Sequence, residues 1–152
     1  LGSTSIVIQS HIIGMFLPSL ITGSLIKKYG HSLIIYSGAF IYLICIFLSF
    51  HDQTFINYLI ALVLLGIGWN FLFIGGTSLL VFCYKESEKF KVQGFNDVLV
   101  FSIQSIASLT AGYSILKFSW NEINLACIPL VLLIILVSIR ADIYKKNLAF
   151  KS

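Results

Sequence analysis

The sequence predicts an all-α, polytopic membrane protein with a single bundle of five transmembrane helices. Only 11% of its 152 residues are charged, and the mean hydropathy is +0.96, whereas soluble domains average about 25% charged residues. A hydrocarbon core about 30 Å thick needs roughly 20 apolar helical residues to cross it. Five stretches of 17 to 32 residues contain no Asp, Glu, Lys or Arg: 1–26, 29–51, 53–84, 98–116 and 123–139.

This pattern excludes a soluble enzyme, a nucleic-acid-binding module and a disordered chain, despite a pI near 9.0. It also disfavours a membrane β-barrel, because barrel strands are about 10 residues of alternating polarity, whereas residues 43–50 and 130–137 are unbroken apolar runs. The three cysteines have no metal-ligand spacing and are expected to be small apolar filler. We therefore predict no catalytic group, no metal site and no cofactor.

The predicted spans run over about 6–26, 33–50, 55–84, 98–116 and 123–139 in one membrane domain, 1–152. The third charge-free stretch would reach roughly 48 Å as a continuous helix, so we expect one tilted helix, in which glycines permit close packing. The connector 85–97 is expected to be a solvated loop, with Asn96 and Asp97 capping the fourth helix. Residues 140–152 are expected to form a polar C-terminal tail.

The basic residues predict the orientation. Five spans place the first and third connectors on the same side as the C-terminal tail, and that side holds every Lys and Arg except Lys117. Basic residues in short loops stay cytoplasmic. We therefore expect a multi-pass protein of the cell inner membrane with its N-terminus outside and its C-terminus in the cytoplasm. The net charge of +4 then reflects topology, and no nucleic-acid partner is expected.

Polar side chains are unevenly shared among the spans and predict which helices line a polar path. Such groups are costly in hydrocarbon and usually face protein or water. They concentrate in the first, third and fourth spans, whereas the second and fifth look lipid-facing. On this basis we predict contacts with a small-molecule solute at four residues: His11, Trp69, Asn70 and Gln104.

Each candidate also has a structural interpretation. A lone Asn or Gln in a bundle often ties two helices together, which applies to Asn70 and Gln104, and aromatic residues such as Trp69 are often packing. His11 differs because its imidazole can titrate. An intramembrane enzyme would need a second catalytic group near His11, and the sequence supplies none. The series Ser105, Ser108 and Gly112 is typical of a small-residue packing stripe.

Several segments resemble bacterial transporters of the major facilitator superfamily. Residues 14–19 running into 22–30 resemble a helix-loop segment of that family, and residues 66–76 look like the tenth helix of a subgroup. Residues 93–97 and the Ser-rich helix after them look like the following loop and the eleventh helix. The resemblance is colinear and covers essentially the whole chain.

One loop carries a family motif. The pattern of Gly23, Lys28 and Gly30 is similar to the cytoplasmic loop motif Gly-x-x-x-Asp-Arg/Lys-x-Gly, with Lys27 in place of the Asp. Lys28 keeps the basic position. The substitution at Lys27 weakens any role of this loop in gating.

The resemblance implies that the five helices correspond to the eighth through twelfth of a twelve-helix carrier, which is part of one half of the fold. It implies the C-terminal part of a secondary-active transporter working by alternating access, incomplete without an N-terminal half as partner. The alternatives are a non-transporting membrane scaffold and the remnant of a decayed transporter gene. The substrate is not specified, although the aromatic residues near Trp69 would tolerate a ring-bearing solute.

Overall fold

A computed structural model describes residues 2–51 and 54–149, and within these ranges all regular structure is helical. Five helices are long and apolar enough to cross a membrane, which confirms the predicted all-α fold with five spans. The first span is formed by α1 and α2 together, and α3 to α6 form the second to fifth spans. The helices are α1 (Gly2–Phe16), α2 (Ser19–Tyr29), α3 (His31–Ser49), α4 (Phe55–Leu80), α5 (Lys89–Lys117) and α6 (Trp120–Ala149).

The first span is broken near its middle, where the sequence predicted one helix over 6–26. Helix α1 ends at Phe16 and α2 begins at Ser19. Pro18 causes the break, because its ring removes a backbone N–H and clashes with the preceding turn. Hydrogen bonding resumes when the Thr22 N–H donates to the Pro18 carbonyl at 2.9 Å.

Two helices extend beyond their predicted ends. Helix α5 begins at Lys89, and not near residue 98. The prediction that Asn96 and Asp97 cap this helix is therefore wrong, since both lie inside it. The segment 89–97 contains no proline to stop a helix, and charged residues tolerate helical structure once outside hydrocarbon.

Helix α6 likewise continues to Ala149, so the predicted polar tail is helical as far as the structure describes it. Lys151 of that tail lies outside the described residues, as do Asp52 and Gln53 of the second connector.

The turn between the first two spans depends on a glycine. Gly30 separates α2 from α3 and has φ +86°, a conformation that residues with a Cβ rarely adopt. Its N–H donates to the Ile26 carbonyl at 2.8 Å and so closes the last turn of α2. The chain therefore reverses in one residue.

Helix α4 is the centre of the bundle and packs closely against α1 and α3. A Cβ on Gly66 would lie 2.5 Å from the His11 carbonyl oxygen, in α1, and one on Gly68 would lie 2.7 Å from the Tyr42 ring, in α3. Small residues let membrane helices approach until their backbones touch. Gly66 and Gly68 thus support the predicted close packing, the first toward α1 and the second toward α3.

The fifth span completes one side of the bundle, whereas the fourth is loosely attached. A small apolar core formed by Ala39, Ile46 and Val131 joins α3 to α6. Helix α5, in contrast, has no buried residue, and Leu109 and Leu116 are each 85% exposed. Within the described chain, α5 therefore stands as an outer wall beside a packed unit of the other helices.

Replacing Gly66 with alanine is expected to destabilise the bundle by about 1–3 kcal/mol, as overpacking of a tight contact usually does. The new methyl group would collide with backbone atoms of α1, which cannot rotate away. Gly76→Ala on the same helix is the matched control, because nothing lies within 4 Å of its Cβ position. The measurement is the midpoint of SDS-induced unfolding in detergent micelles, followed by circular dichroism. Equal midpoints for the two variants would contradict the close approach.

Candidate functional site

The main cavity of the described chain lies between the first, third and fourth spans and has a volume of about 780 Å³. These are the three spans whose polar residues predicted a polar path. Helices α3 and α6 contribute nothing to its lining. The lining comprises residues of α1 and α2 (Met15, Phe16, Ser19), of α4 (Trp69, Asn70, Phe73, Ile74) and of α5 (Phe101, Gln104, Ser105, Ser108, Leu109).

Asn70 is the most buried polar group of this site, with an exposed fraction of 2%. Its Nδ2 donates to the Met15 carbonyl at 2.7 Å, and its Oδ1 accepts from the Thr22 hydroxyl at 2.7 Å. Met15 lies just before the break in the first span and Thr22 just after it. The side chain of Asn70 thus bridges the two halves of the broken span from the neighbouring helix.

The amide of Asn70 retains some bonding capacity for a ligand. A carboxamide has two N–H donors and an oxygen with two lone pairs. The protein uses one N–H and one acceptor position here. A second N–H and a second lone pair therefore remain at a residue that lines the cavity.

Aromatic rings form one wall of the cavity. Trp69 and Phe73 stack with their centroids 4.4 Å apart and an interplanar angle of 24°, and Phe101 of α5 lies 6.3 Å from Phe73. Trp69 and Phe73 meet because residues four apart share one face of a helix. The wall presents flat, polarisable surfaces of the kind that bind planar rings.

The opposite wall is the polar side of α5. Ser105 donates its hydroxyl to the Phe101 carbonyl of its own helix at 2.7 Å, so its oxygen can still accept from a ligand. The Gln104 amide makes no hydrogen bond to the described part of the chain and is exposed. This wall therefore offers hydrogen-bonding groups on α5, beside Phe101, to a cavity whose stacked rings Trp69 and Phe73 belong to α4.

Three of the four predicted contact residues come together in the cavity: Trp69, Asn70 and Gln104. His11 is not among the lining residues. Its Nδ1 lies 2.7 Å from the Leu62 carbonyl oxygen; since a carbonyl can only accept, Nδ1 carries the proton. In this arrangement the imidazole ties α1 to α4.

The loop motif lies away from this cavity, at the junction of α2 and α3. Gly23 is exposed, with nothing within 4 Å of its Cβ position. The ammonium group of Lys28 lies 5.0 Å from the centre of the Tyr29 ring, at a helix C-terminus where the dipole favours a positive charge. Gly30 provides the turn described above.

Sequence reasoning missed several lining residues. Ser105 and Ser108 were expected to be a packing stripe, but they face the cavity, and Gly112 has nothing within 4 Å of its Cβ position. Ser19 and Phe101 were not singled out as contacts. Their spacing was the signal that could have identified them. Phe101, Gln104, Ser105 and Ser108 recur at intervals of three and four residues and therefore lie on one face of α5.

The chain resembles several bacterial transporters. It is 35% identical over 128 residues to the riboflavin transporter RfnT of Brucella anthropi, a match that covers 84% of this chain and 32% of that protein. It is 41% identical over 102 residues to the uncharacterized MFS-type transporter YdeG of Bacillus subtilis, covering 66% of this chain and 24% of that protein.

A third relative is the uncharacterized MFS-type transporter YddS of Bacillus subtilis, 34% identical over 141 residues, with 87% of this chain and 32% of that protein covered. The chain thus spans a third or less of the length of the curated relatives it matches. No family model matches the sequence. No solved structure matches it either.

If the cavity is filled with water in a membrane, a cysteine at Ser105 is expected to react with a membrane-impermeant maleimide on the order of tenfold faster than one at Ile103. Thiols react as thiolates, which form in water and not in hydrocarbon. Ile103 is the matched control because it lies at nearly the same depth on α5, is exposed, and does not line the cavity. The measurement is the labelling rate in bilayers on a background in which Cys45, Cys83 and Cys127 are replaced. Equal rates would show that the polar face of α5 is not hydrated.

Proposed function

Since the chain belongs to the major facilitator superfamily, we propose that it forms the C-terminal portion of a secondary-active solute transporter and contributes part of its solute site. One observation carries the proposal. Trp69, Asn70 and Gln104, which belong to two different spans, line one cavity together with the broken first span. That cavity combines stacked rings with hydrogen-bonding groups, as solute sites commonly do.

The proposed solute is a planar, ring-bearing molecule with hydrogen-bonding edges. Trp69, Phe73 and Phe101 supply flat apolar surfaces, while Gln104, Ser105 and the spare N–H of Asn70 supply polar partners. Riboflavin has these properties, and the relative RfnT is named as a riboflavin transporter. We therefore take riboflavin as the first solute to test.

Trp69, Asn70 and Gln104 are the proposed solute contacts. For His11 a contact with solute stays a prediction, because its imidazole is engaged with the Leu62 carbonyl outside the cavity lining. In the structure His11 joins α1 to α4.

Transport by this chain is proposed to require further helices. Alternating access rocks two bundles about a central site, and the chain spans only 24% to 32% of the length of its relatives. Helix α5 has no buried residue and borders the cavity. We propose that helices of the N-terminal half, on the same chain or on a separate one, complete the wall at α5.

The proposed orientation places the N-terminus outside and the C-terminus in the cytoplasm of the inner membrane. The support is the basic residues: Lys27 and Lys28 lie in the last turn of α2, and Lys85, Lys89 and Lys91 lie around the start of α5, on the same side of the bundle. Lys117 lies at the other end of α5. In either orientation, the cavity residue Asn70 lies near the middle of the third span.

Replacing Trp69 with leucine is expected to raise the KM for riboflavin uptake by about tenfold, because an aromatic contact in a binding site contributes about 0.5–1.5 kcal/mol beyond the area it buries. Trp69→Phe should keep part of this contact and give a smaller rise. The measurement is uptake of radiolabelled riboflavin into cells that lack their own carrier and express the protein together with any N-terminal half.

Trp120→Leu is the matched control. Trp120 contacts Tyr58 at a centroid distance of 5.8 Å and does not line the main cavity. Uptake that is unchanged in Trp69→Leu would remove the aromatic wall from the solute site. Absence of uptake in the wild-type protein would favour a different solute or a scaffold role.

Reporter fusions test the orientation. Alkaline phosphatase is active only outside the cytoplasm, so fusions after Ser49 and after Lys117 are expected to be active, and fusions after Tyr29 and after Lys85 inactive. The physical reason is retention of basic loops on the cytoplasmic side. A green fluorescent protein fusion at each site provides the complementary readout. Activity in the opposite pattern would invert the proposed topology.

A further inference from the structure

The side chain of Thr22 is completely buried where the first span meets Asn70. Its exposed fraction is 0%, and it lies in the first turn of α2, four residues after Pro18. Its hydroxyl oxygen is 2.7 Å from Asn70 Oδ1 and 2.8 Å from the Pro18 carbonyl oxygen. Thr22 itself is not among the residues that line the cavity.

The Thr22 hydroxyl has one proton but two acceptors within reach. A threonine hydroxyl donates a single hydrogen bond, so only one of the two oxygens can receive a full bond at a time. The Pro18 carbonyl already accepts the backbone N–H groups of Ile21 at 3.0 Å and of Thr22 at 2.9 Å. Within the described chain, no donor other than the Thr22 hydroxyl reaches Asn70 Oδ1, so the hydroxyl proton bonds there.

The second acceptor nevertheless gives the hydroxyl an alternative. If Asn70 Oδ1 turns to another donor, the Thr22 proton can turn to the Pro18 oxygen 2.8 Å away and share it with the Ile21 and Thr22 N–H groups. Releasing Asn70 therefore leaves no unpaired hydroxyl in the membrane interior, where an unsatisfied polar group is destabilising. The two arrangements differ by a rotation of the hydroxyl hydrogen about the Cβ–Oγ1 bond of Thr22.

We infer that Thr22 is a positioning residue that holds the Asn70 amide in place and can release its oxygen to a hydrogen-bond donor of the solute. The coupling to solute rests on the proposed function; the link between Thr22 and Asn70 does not. In the bound arrangement, the solute N–H or O–H replaces the Thr22 hydroxyl on Asn70 Oδ1. The same exchange loosens one of the two bonds by which α4 bridges the break in the first span, since Nδ2 stays on the Met15 carbonyl.

Nuclear magnetic resonance of the Asn70 side chain tests the link without any solute. The protein is labelled with ¹⁵N-asparagine and placed in lipid nanodiscs, and the Asn70 amide signals are identified by their loss in Asn70→Asp. Thr22→Val, which keeps the shape but lacks the hydroxyl, is expected to shift these signals and to speed exchange of their protons with water. Thr22→Ser restores the hydroxyl and should return them to the wild-type positions.

Thr110→Val is the matched control. The Thr110 hydroxyl also bonds carbonyls of its own helix, those of Ile106 at 2.9 Å and Ala107 at 3.2 Å, but it has no partner on another helix in the described chain. It should leave the Asn70 signals unchanged. Asn70 signals that are the same in Thr22→Val as in wild type would overturn the inference, as would a failure of Thr22→Ser to restore them.

Riboflavin uptake tests the coupling to solute. Among variants that remain monodisperse in detergent, Thr22→Val is expected to change the KM by about three- to tenfold, the range of one hydrogen bond, while Thr22→Ser and Thr110→Val stay near wild type. A KM unchanged in Thr22→Val would overturn this coupling. If the wild-type protein takes up no riboflavin, the proposed solute is wrong, and the resonance experiment still decides the link between Thr22 and Asn70.

Discussion

Every backbone polar group inside a membrane must find a partner within the protein, and this constraint governs the site. Pro18 cannot donate to the Gly14 carbonyl, and just after it the Leu20 N–H bonds to the Leu17 carbonyl, so the Met15 and Phe16 carbonyls need other donors. Asn70 donates to the Met15 carbonyl, and the Ser19 hydroxyl donates to the Phe16 carbonyl. The break in the first span thus persists because side chains of α2 and α4 complete its hydrogen bonding. The residues that do so also line the cavity.

Asn70 can reach the break only because α4 lies unusually close to α1. Gly14 and Gly66 face each other there, and a Cβ on Gly66 would lie 2.9 Å from the Gly14 carbonyl carbon. Without a hydrophobic force between helices in lipid, close backbone contact and interhelical hydrogen bonds hold them together. The contact also brings Nδ1 of His11 within 2.7 Å of the Leu62 carbonyl. Glycine packing and polar ties therefore act together, and the position of the first wall of the cavity depends on both.

The sequence was sufficient to predict five helices and the three spans that border the cavity, because apolar length and the cost of buried polar groups act locally. It did not predict the break at Pro18, whose stability depends on Asn70, 52 positions away in the sequence. His11 and Asn70 looked alike as polar residues inside spans, yet only Asn70 lines the cavity. Whether a side chain faces the cavity depends on how its helix is rotated about its own axis, and packing against neighbouring helices determines that rotation. The start of α5 was predicted too late for another reason. Charged residues show where a span leaves the hydrocarbon core of the membrane, but the helix itself can continue beyond that point.

The two sides of the cavity differ in how tightly they are packed and hydrogen-bonded to the rest of the bundle. The side made by α1, α2 and α4 is fixed by glycine contacts and by the hydrogen bonds of Asn70, which is 2% exposed. The side made by α5 has no buried residue, and its ring contact with α4 is a single pair, Phe73 and Phe101, 6.3 Å apart. A solute that stacks on Trp69 and bonds to Gln104 would therefore connect a rigid wall to a loosely held one. Because a ligand stabilises whichever arrangement it binds more tightly, such a solute would act mainly on the position of α5 relative to the Trp69 and Phe73 rings of α4.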